Sequence, residues 1–143
     1  MNLSRIVRAA GCWGVQRLIC CGNAKVIAKI ARAPAGDDDA GPTTVAVEVH
    51  RTLRPILLRL REEAGYALVG LEQTGDAVSI FDFAFPRRCA LVVGNERTGI
   101  EPETLRILDA AVEIPVYGMP LAHNVATATA MALYEYCRQY PQG

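Results

Sequence analysis

The residues best placed to do chemistry lie in the last third of the chain, in GNERTGI (residues 94–100), EIPVYGMP (113–120) and LAHNVATATAMALYEY (121–136). Each closes an expected strand or opens an expected helix, and in open α/β sheets ligands sit at such loops, beyond the carboxyl ends of the strands. In GNERTG the two glycines stand five apart, like the front of a phosphate-binding loop. Ile100 and Glu101 follow where Lys-Ser/Thr would be needed, and there is no GxGxxG, so neither nucleotide fingerprint fits. A tight turn that uses the backbone freedom of Gly94 and Gly99 explains the glycines. Glu96 is left over, and a carboxylate at the C-terminal edge of a sheet can act as an acceptor or a base. Asn124, directly ahead of a helical stretch, reads first as an N-cap. Nucleophilic hydrolysis finds little support: the serines are Ser4 and Ser79, and GxSxG is absent. His50 and His123 lie near no cysteine, and the five cysteines show no CxxC spacing, so no metal site is expected.

These loops need strands and helices to position them. Leu3, Ile6, Val7, Ala10 and Trp13 recur at helical spacing, which predicts a helix over 2–13 with Arg5 and Arg8 on its opposite face. Strands are expected over 15–21, 45–50, 66–72, 89–94 and 110–116. Helices are expected over 24–32, 52–64 (ended by Gly65), 101–108 (with Pro102 in its first turn) and 124–139. The closing helix carries Ala126, Ala128, Ala130 and Ala132, small residues that suit deep burial or close packing on a partner helix. Residues 33–43 read as a flexible acidic loop around Asp37, Asp38 and Asp39, and 73–87 as irregular with a docking segment, SIFDFAFP. Strands alternating with helices predict an α/β fold with a largely parallel sheet.

The chain has 143 residues, the size of a single domain over 1–143. Hydrophobic residues make up 51% and charged residues 21%, with no apolar run near the roughly 18 residues that span a bilayer. No membrane association and a cytoplasmic location are expected, with the cysteines as buried free thiols in a reducing compartment. Fifteen basic residues balance fifteen acidic ones, which weakens any broad, non-specific attraction to nucleic acid. Local basic faces remain, around Arg5, Arg8 and Arg17 and around Arg51, Arg54, Arg59 and Arg61.

Taken together, these segments resemble the SpoU (TrmH-like) branch of the SPOUT RNA methyltransferases along nearly the whole chain. Asn2 and Arg8, followed by RAAGCWGV, are similar to a first motif that runs from an Asn to an Arg six residues later and on to R-T-A-x-x-F-G-V. LVVGNERTGI is similar to a second, a strand followed by G-N-E-x-x-G. IPVYG with AHNVATATAMALYE is similar to a third, I-P-M-x-G then S-x-N-V and a helix ending near L-Y-E.

The resemblance implies a SPOUT-type sheet flanked by helices with a C-terminal trefoil knot, an exception to unknotted chains. It implies S-adenosyl-L-methionine as cofactor and a homodimer formed through the first and last helices. The implied reaction is methyl transfer to a ribose 2′-OH of tRNA or rRNA, the RNA being the partner. Arg8 would orient the attacking oxygen, with Asn2, Glu96 and Asn124 holding Arg8 and the substrate. Val93, Gly94, Asn95, Gly99, Ile114, Pro115, Val116, Gly118, Leu121, His123, Asn124 and Val125 would hold the cofactor.

Two departures bear on this reading. Ala122 stands where the family has Ser, and the strand the family carries just ahead of its first motif is expected to be missing, since Met1 directly precedes Asn2. They motivate an alternative, a degenerate relative that binds RNA or cofactor without methyl transfer. A third reading is an unrelated α/β protein that binds ATP or NAD.

Overall fold

A computed structural model describes residues 2–25, 27 and 45–142. The acidic loop expected over 33–43, and most of the helix expected over 24–32, lie outside them. Helix α1 (Asn2–Cys12) leads into strand β1 (Arg17–Cys21), followed by β2 (Ala46–His50), α2 (Arg54–Ala64), β3 (Ala67–Leu71), β4 (Val78–Ser79), β5 (Cys89–Val93), α3 (Pro102–Ile107), β6 (Ala110–Glu113) and α4 (Val125–Gln139). Every strand pairing is parallel, as the alternation of strands and helices predicts.

The described strands form two sheets rather than one: β1 with β2, and a four-stranded sheet in the order β4-β6-β3-β5. β3 therefore lies between β5 and β6. Its Leu71 stands opposite Val93 on one side and Val112 on the other. Among the described residues β5 pairs with β3 alone and β1 with β2 alone, so each has one edge without a strand partner.

Alternation along β3 sorts the core into two layers. Val69 packs with Ile80, Phe85, Val112 and Ala132 of α4 on one face. Leu68 packs with Leu57 of α2, Val92 and Ile100 on the other. The helices close as the sequence signals suggest. Gly65 takes the left-handed conformation at φ 68°, and the Gly65 and Tyr66 N–H groups bond to the Arg61 and Leu60 carbonyls, terminating α2. Asn124 caps α4 by accepting the Ala126 N–H at 2.9 Å. In α1, Ile6 and Ala10 are buried one turn apart, Arg5 and Arg8 are exposed, and the helix packs against α4.

Three expectations change. Residues 78–79 of the irregular stretch form the short strand β4, paired to β6. The SIFDFAFP segment does dock, and its partner is the closing helix: Gln139 accepts the Phe85 N–H and donates to the Phe83 carbonyl, while the Tyr140 hydroxyl donates to the Phe85 carbonyl. The cysteines are all free, but Cys12 and Cys21 are exposed and the other three are half-buried. Cys12 and Cys21 are the last residues of α1 and β1.

Candidate cofactor cleft

Beyond the carboxyl ends of β3, β5 and β6 lies a cleft of about 670 Å³, within the usual range for small-molecule sites. Three loops and the first turn of α4 enclose it. Residues 93–100 form the first wall. Asn95 and Gly99 exchange backbone hydrogen bonds of 3.1 and 2.8 Å, closing the loop on itself, and the Asn95 side chain accepts the Arg97 N–H at 2.9 Å. The closure needs both glycines. Gly99 has φ 68°, a conformation that L side chains rarely adopt. A Cβ on Gly94 would lie 2.3 Å from the Gly99 carbonyl carbon and 2.5 Å from the Ile100 nitrogen. The closed loop presents Glu96, Arg97 and Thr98 as its exposed tip.

The second wall follows β6 and runs to the capped start of α4. Ile114, Ala122, His123, Asn124 and Val125 line the cleft there. The His123 ring nitrogen Nε2 lies 3.5 Å from the Pro115 carbonyl oxygen, across the turn. Tyr117, Met119 and Leu121 stand out into solvent at 88, 82 and 71% exposure, so this loop offers an apolar rim above the cleft.

Of the expected site residues, the structure brings Val93, Gly94, Asn95, Glu96, Gly99, Ile114, His123, Asn124 and Val125 together in one cleft. Pro115, Val116, Gly118 and Leu121 belong to the same loop but are not part of the lining. Arg8 is exposed on α1 and does not line the cleft either. Asn2 opens α1. Sequence reasoning missed the third wall, residues 71–74 after β3. There Glu72 accepts the Ile100 N–H at 2.8 Å, and Gln73 Nε2 lies 3.4 Å from the Leu121 carbonyl oxygen. The signal was present: LEQT follows a buried strand, the same position relative to the sheet that drew attention to the other two loops.

The site fits a nucleoside joined to an amino acid. Its lining mixes aliphatic side chains (Val93, Ile100, Ile114, Val125), suited to a base and ribose face, with the backbone of glycine-containing turns and the polar side chains of Glu72, Gln73, Thr74 and Asn95. Among the described residues no helix is long and apolar enough to cross a membrane.

Comparison with known proteins agrees with this geometry. The profile of the SpoU rRNA methylase family matches residues 1–134. The chain is 30% identical over 138 residues to the tRNA (guanosine(18)-2′-O)-methyltransferase of Escherichia coli K12, covering 96% of this chain and 58% of that enzyme. It is 29% identical over 144 residues to the 23S rRNA (uridine(2479)-2′-O)-methyltransferase of Streptomyces viridochromogenes, covering 99% of this chain and 50% of the relative. A mouse tRNA (guanosine(18)-2′-O)-methyltransferase, TARBP1, is 36% identical over 93 residues, which are 65% of this chain and 6% of that protein. The chain thus spans about half to three-fifths of these bacterial relatives and a small part of the mouse one.

Among solved structures, the TrmH/SpoU tRNA modifying enzyme of A. aeolicus superposes with a TM-score of 0.77 at 29% identity, covering 99% of this chain and 70% of that one. The SpoU methyltransferase AviRb of S. viridochromogenes, in complex with AdoMet, also superposes at 0.77, with 26% identity, covering 99% of this chain and 56% of that one. The motifs, the parallel α/β sheet and the cleft at its carboxyl edge converge on one assignment: the chain belongs to the SpoU rRNA methylase family.

Proposed function

We propose that this protein is an S-adenosyl-L-methionine-dependent methyltransferase acting on a ribose 2′-OH of tRNA or rRNA. The observation that carries the reading is the cleft itself, in which the second and third sequence motifs meet at the carboxyl edge of a parallel sheet. S-adenosyl-L-methionine, when bound, supplies a methyl group activated by its sulfonium charge. The backbone of residues 93–95 and 114–118, with the turn at 121–125, would hold its adenosine and methionine parts. The chain's main contribution is to hold the reacting groups in line, which can account for much of a barrier reduction.

Arg8 orients the attacking ribose oxygen and stabilises the charge that develops on it. A guanidinium holds its proton too tightly to serve as the base. Asn2, Glu96 and Asn124 hold Arg8 and the RNA. Arg8 lies exposed outside the cleft of its own chain, which favours a homodimer through α1 and α4 in which each protomer's Arg8 serves its partner's cleft.

The rest of the family architecture belongs to the same reading: one domain over residues 1–143 with a C-terminal trefoil knot, in which the strand the family carries ahead of its first motif has no counterpart among the described residues. Among the described residues β1 and β5 each pair in parallel on one side only, which is the arrangement expected without that strand. The five unpaired cysteines fit a reducing compartment such as the cytoplasm.

The test is transfer of labelled methyl from S-adenosyl-L-methionine to unmodified tRNA and rRNA. Arg8→Ala should lower the rate at least about 100-fold, the scale of a lost positioning contact, with S-adenosylhomocysteine affinity unchanged. Mixing Arg8→Ala with Gly94→Ala chains should restore part of the activity, because one mixed site keeps both an intact cleft and an intact Arg8. Unchanged methylation by Arg8→Ala would remove its assigned role. Cofactor binding without transfer to any RNA would favour the degenerate reading, toward which Ala122 in the cleft wall points.

A further inference from the structure

We infer that Glu72 and Gln73, the two residues directly after β3, are positioning residues that tie the two loops of the cofactor cleft to each other. The inference rests on the proposed function only for the identity of the ligand.

The argument starts from the strand order. β3 lies between β5 and β6, and the two loops that wall the cleft follow those outer strands. A residue just past the end of β3 is therefore the nearest point from which both loops can be reached. Glu72 uses that position. Its own N–H donates to the Val112 carbonyl of β6 at 3.0 Å, which fixes its backbone on one side. Its carboxylate reaches to the other side and accepts the Ile100 N–H at 2.8 Å.

The fit of the carboxylate is close. A Cβ on Gly99 would stand 2.4 Å from Oε2 of Glu72, so the space that Gly99 leaves open is the space the carboxylate fills. Gly99 thus answers two demands at once, its left-handed backbone and the approach of Glu72. Gln73, the next residue, points its amide toward the loop after β6, with Nε2 3.4 Å from the Leu121 carbonyl oxygen. Adjacent residues of one strand end thereby hold both walls. Glu72, Gln73, Ile100 and His123 all face the same cleft.

The consequence is specific to hydrogen-bond acceptance. Gln at position 72 keeps a carbonyl oxygen that can accept the Ile100 N–H, whereas Ala does not. The experiment is calorimetric titration of the full chain with S-adenosylhomocysteine for wild type, Glu72→Ala, Glu72→Gln and Gln73→Ala, with amide hydrogen exchange at Ile100 measured by NMR on the same proteins without ligand. Glu72→Ala should weaken binding by about tenfold and Glu72→Gln by no more than about threefold, with a loss of about threefold for the exposed Gln73→Ala.

Ile100 should be protected in wild type and Glu72→Gln and exchange freely in Glu72→Ala. Wild-type affinity together with a protected Ile100 in Glu72→Ala would overturn the inference, as would equal losses in Glu72→Ala and Glu72→Gln. Should Glu72→Ala fail to fold, undiminished binding by Gln73→Ala, or lost Ile100 protection in Glu72→Gln, would overturn it, and the opposite results would support it. Failure of the wild type to bind S-adenosylhomocysteine would sink the proposed function alone, because the Ile100 exchange reads the tie without any ligand.

Discussion

Gly94 and Asn124 show how much of this site depends on single positions. At Gly94 the space for a side chain is occupied by backbone, the Gly99 carbonyl carbon and the Ile100 nitrogen, and neither can swing aside as a long side chain would. Gly94→Ala should therefore open the 95–99 loop. The expected outcome is a loss of S-adenosylhomocysteine affinity of at least about 100-fold, or about 2.8 kcal/mol, read by calorimetry, with far-ultraviolet circular dichroism unchanged. Asn124 was open to two readings from sequence, helix cap or substrate contact, and the capping reading holds in the structure. The cap was legible because it depends on neighbours two residues away. Glu72 was not, because its partner Ile100 lies 28 residues on and comes near only when β3 and β5 pair.

At the scale of elements, hydrophobic period and end signals located most strands and helices to within a few residues. The missed strand β4 has only two residues, and a pairing so short leaves no periodic trace. The paired strands β1 and β2 carry their own electrostatic feature. Arg17 donates to Glu48 from Nε at 2.7 Å and from Nη2 at 3.1 Å, and His50 Nε2 lies 3.1 Å from the same carboxylate. These partners, Arg17 first and His50 next, hold the Glu48 carboxyl down at about 2 against an ordinary 4.5. A depressed carboxyl stabilises the fold above its unfolded value, and the contribution is lost as pH falls from about 4.5 toward 2. With a third of the side chain in solvent, screening limits the effect to about 1 kcal/mol or less. Glu48→Gln should accordingly be less stable than wild type in urea denaturation at pH 6, and the gap should close as the pH is lowered through that window.

At the scale of the whole molecule, the outer side of α1 and α4 carries exposed apolar side chains. Trp13 packs edge-on against Tyr134 with ring centroids 5.5 Å apart, and Met131 lies one turn before Tyr134 on the same helix. All three are at least a third exposed, at 36, 57 and 38% for Trp13, Tyr134 and Met131. Apolar side chains gathered at the junction of the first and last helices suit the dimer proposed above. A charge at its centre should disfavour association: Met131→Arg should shift the protein from dimer to monomer in light scattering. Methyl transfer should fall with it if Arg8 acts across the interface. Sequence reasoning expected the alanines of α4 to be deeply buried or packed on a partner helix. Ala126 and Ala132 are buried, in keeping with the first alternative, and the larger Met131 and Tyr134 make up the exposed face.

The division of the strands into two sheets has a further consequence. The cleft is built on the four-stranded sheet and α4, so a bound cofactor adds its binding free energy to that part of the fold, about 2.7 kcal/mol at a hundred times Kd. β1 and β2 contribute no residue to the cleft and gain none of this directly. An isolated pair of strands is marginally stable at best. Inactivation should therefore begin there, and it would be chemical before it is structural. Burial raises the thiol pKa of Cys20 above the ordinary range, which keeps it poor in thiolate while β1 is in place. Once the pair opens, Cys20 joins the already exposed Cys21 in solvent, and oxidation would prevent the strand from returning. Saturating cofactor would preserve the cleft and leave this route open, so a reducing agent, rather than ligand, is what should extend the working life of the protein.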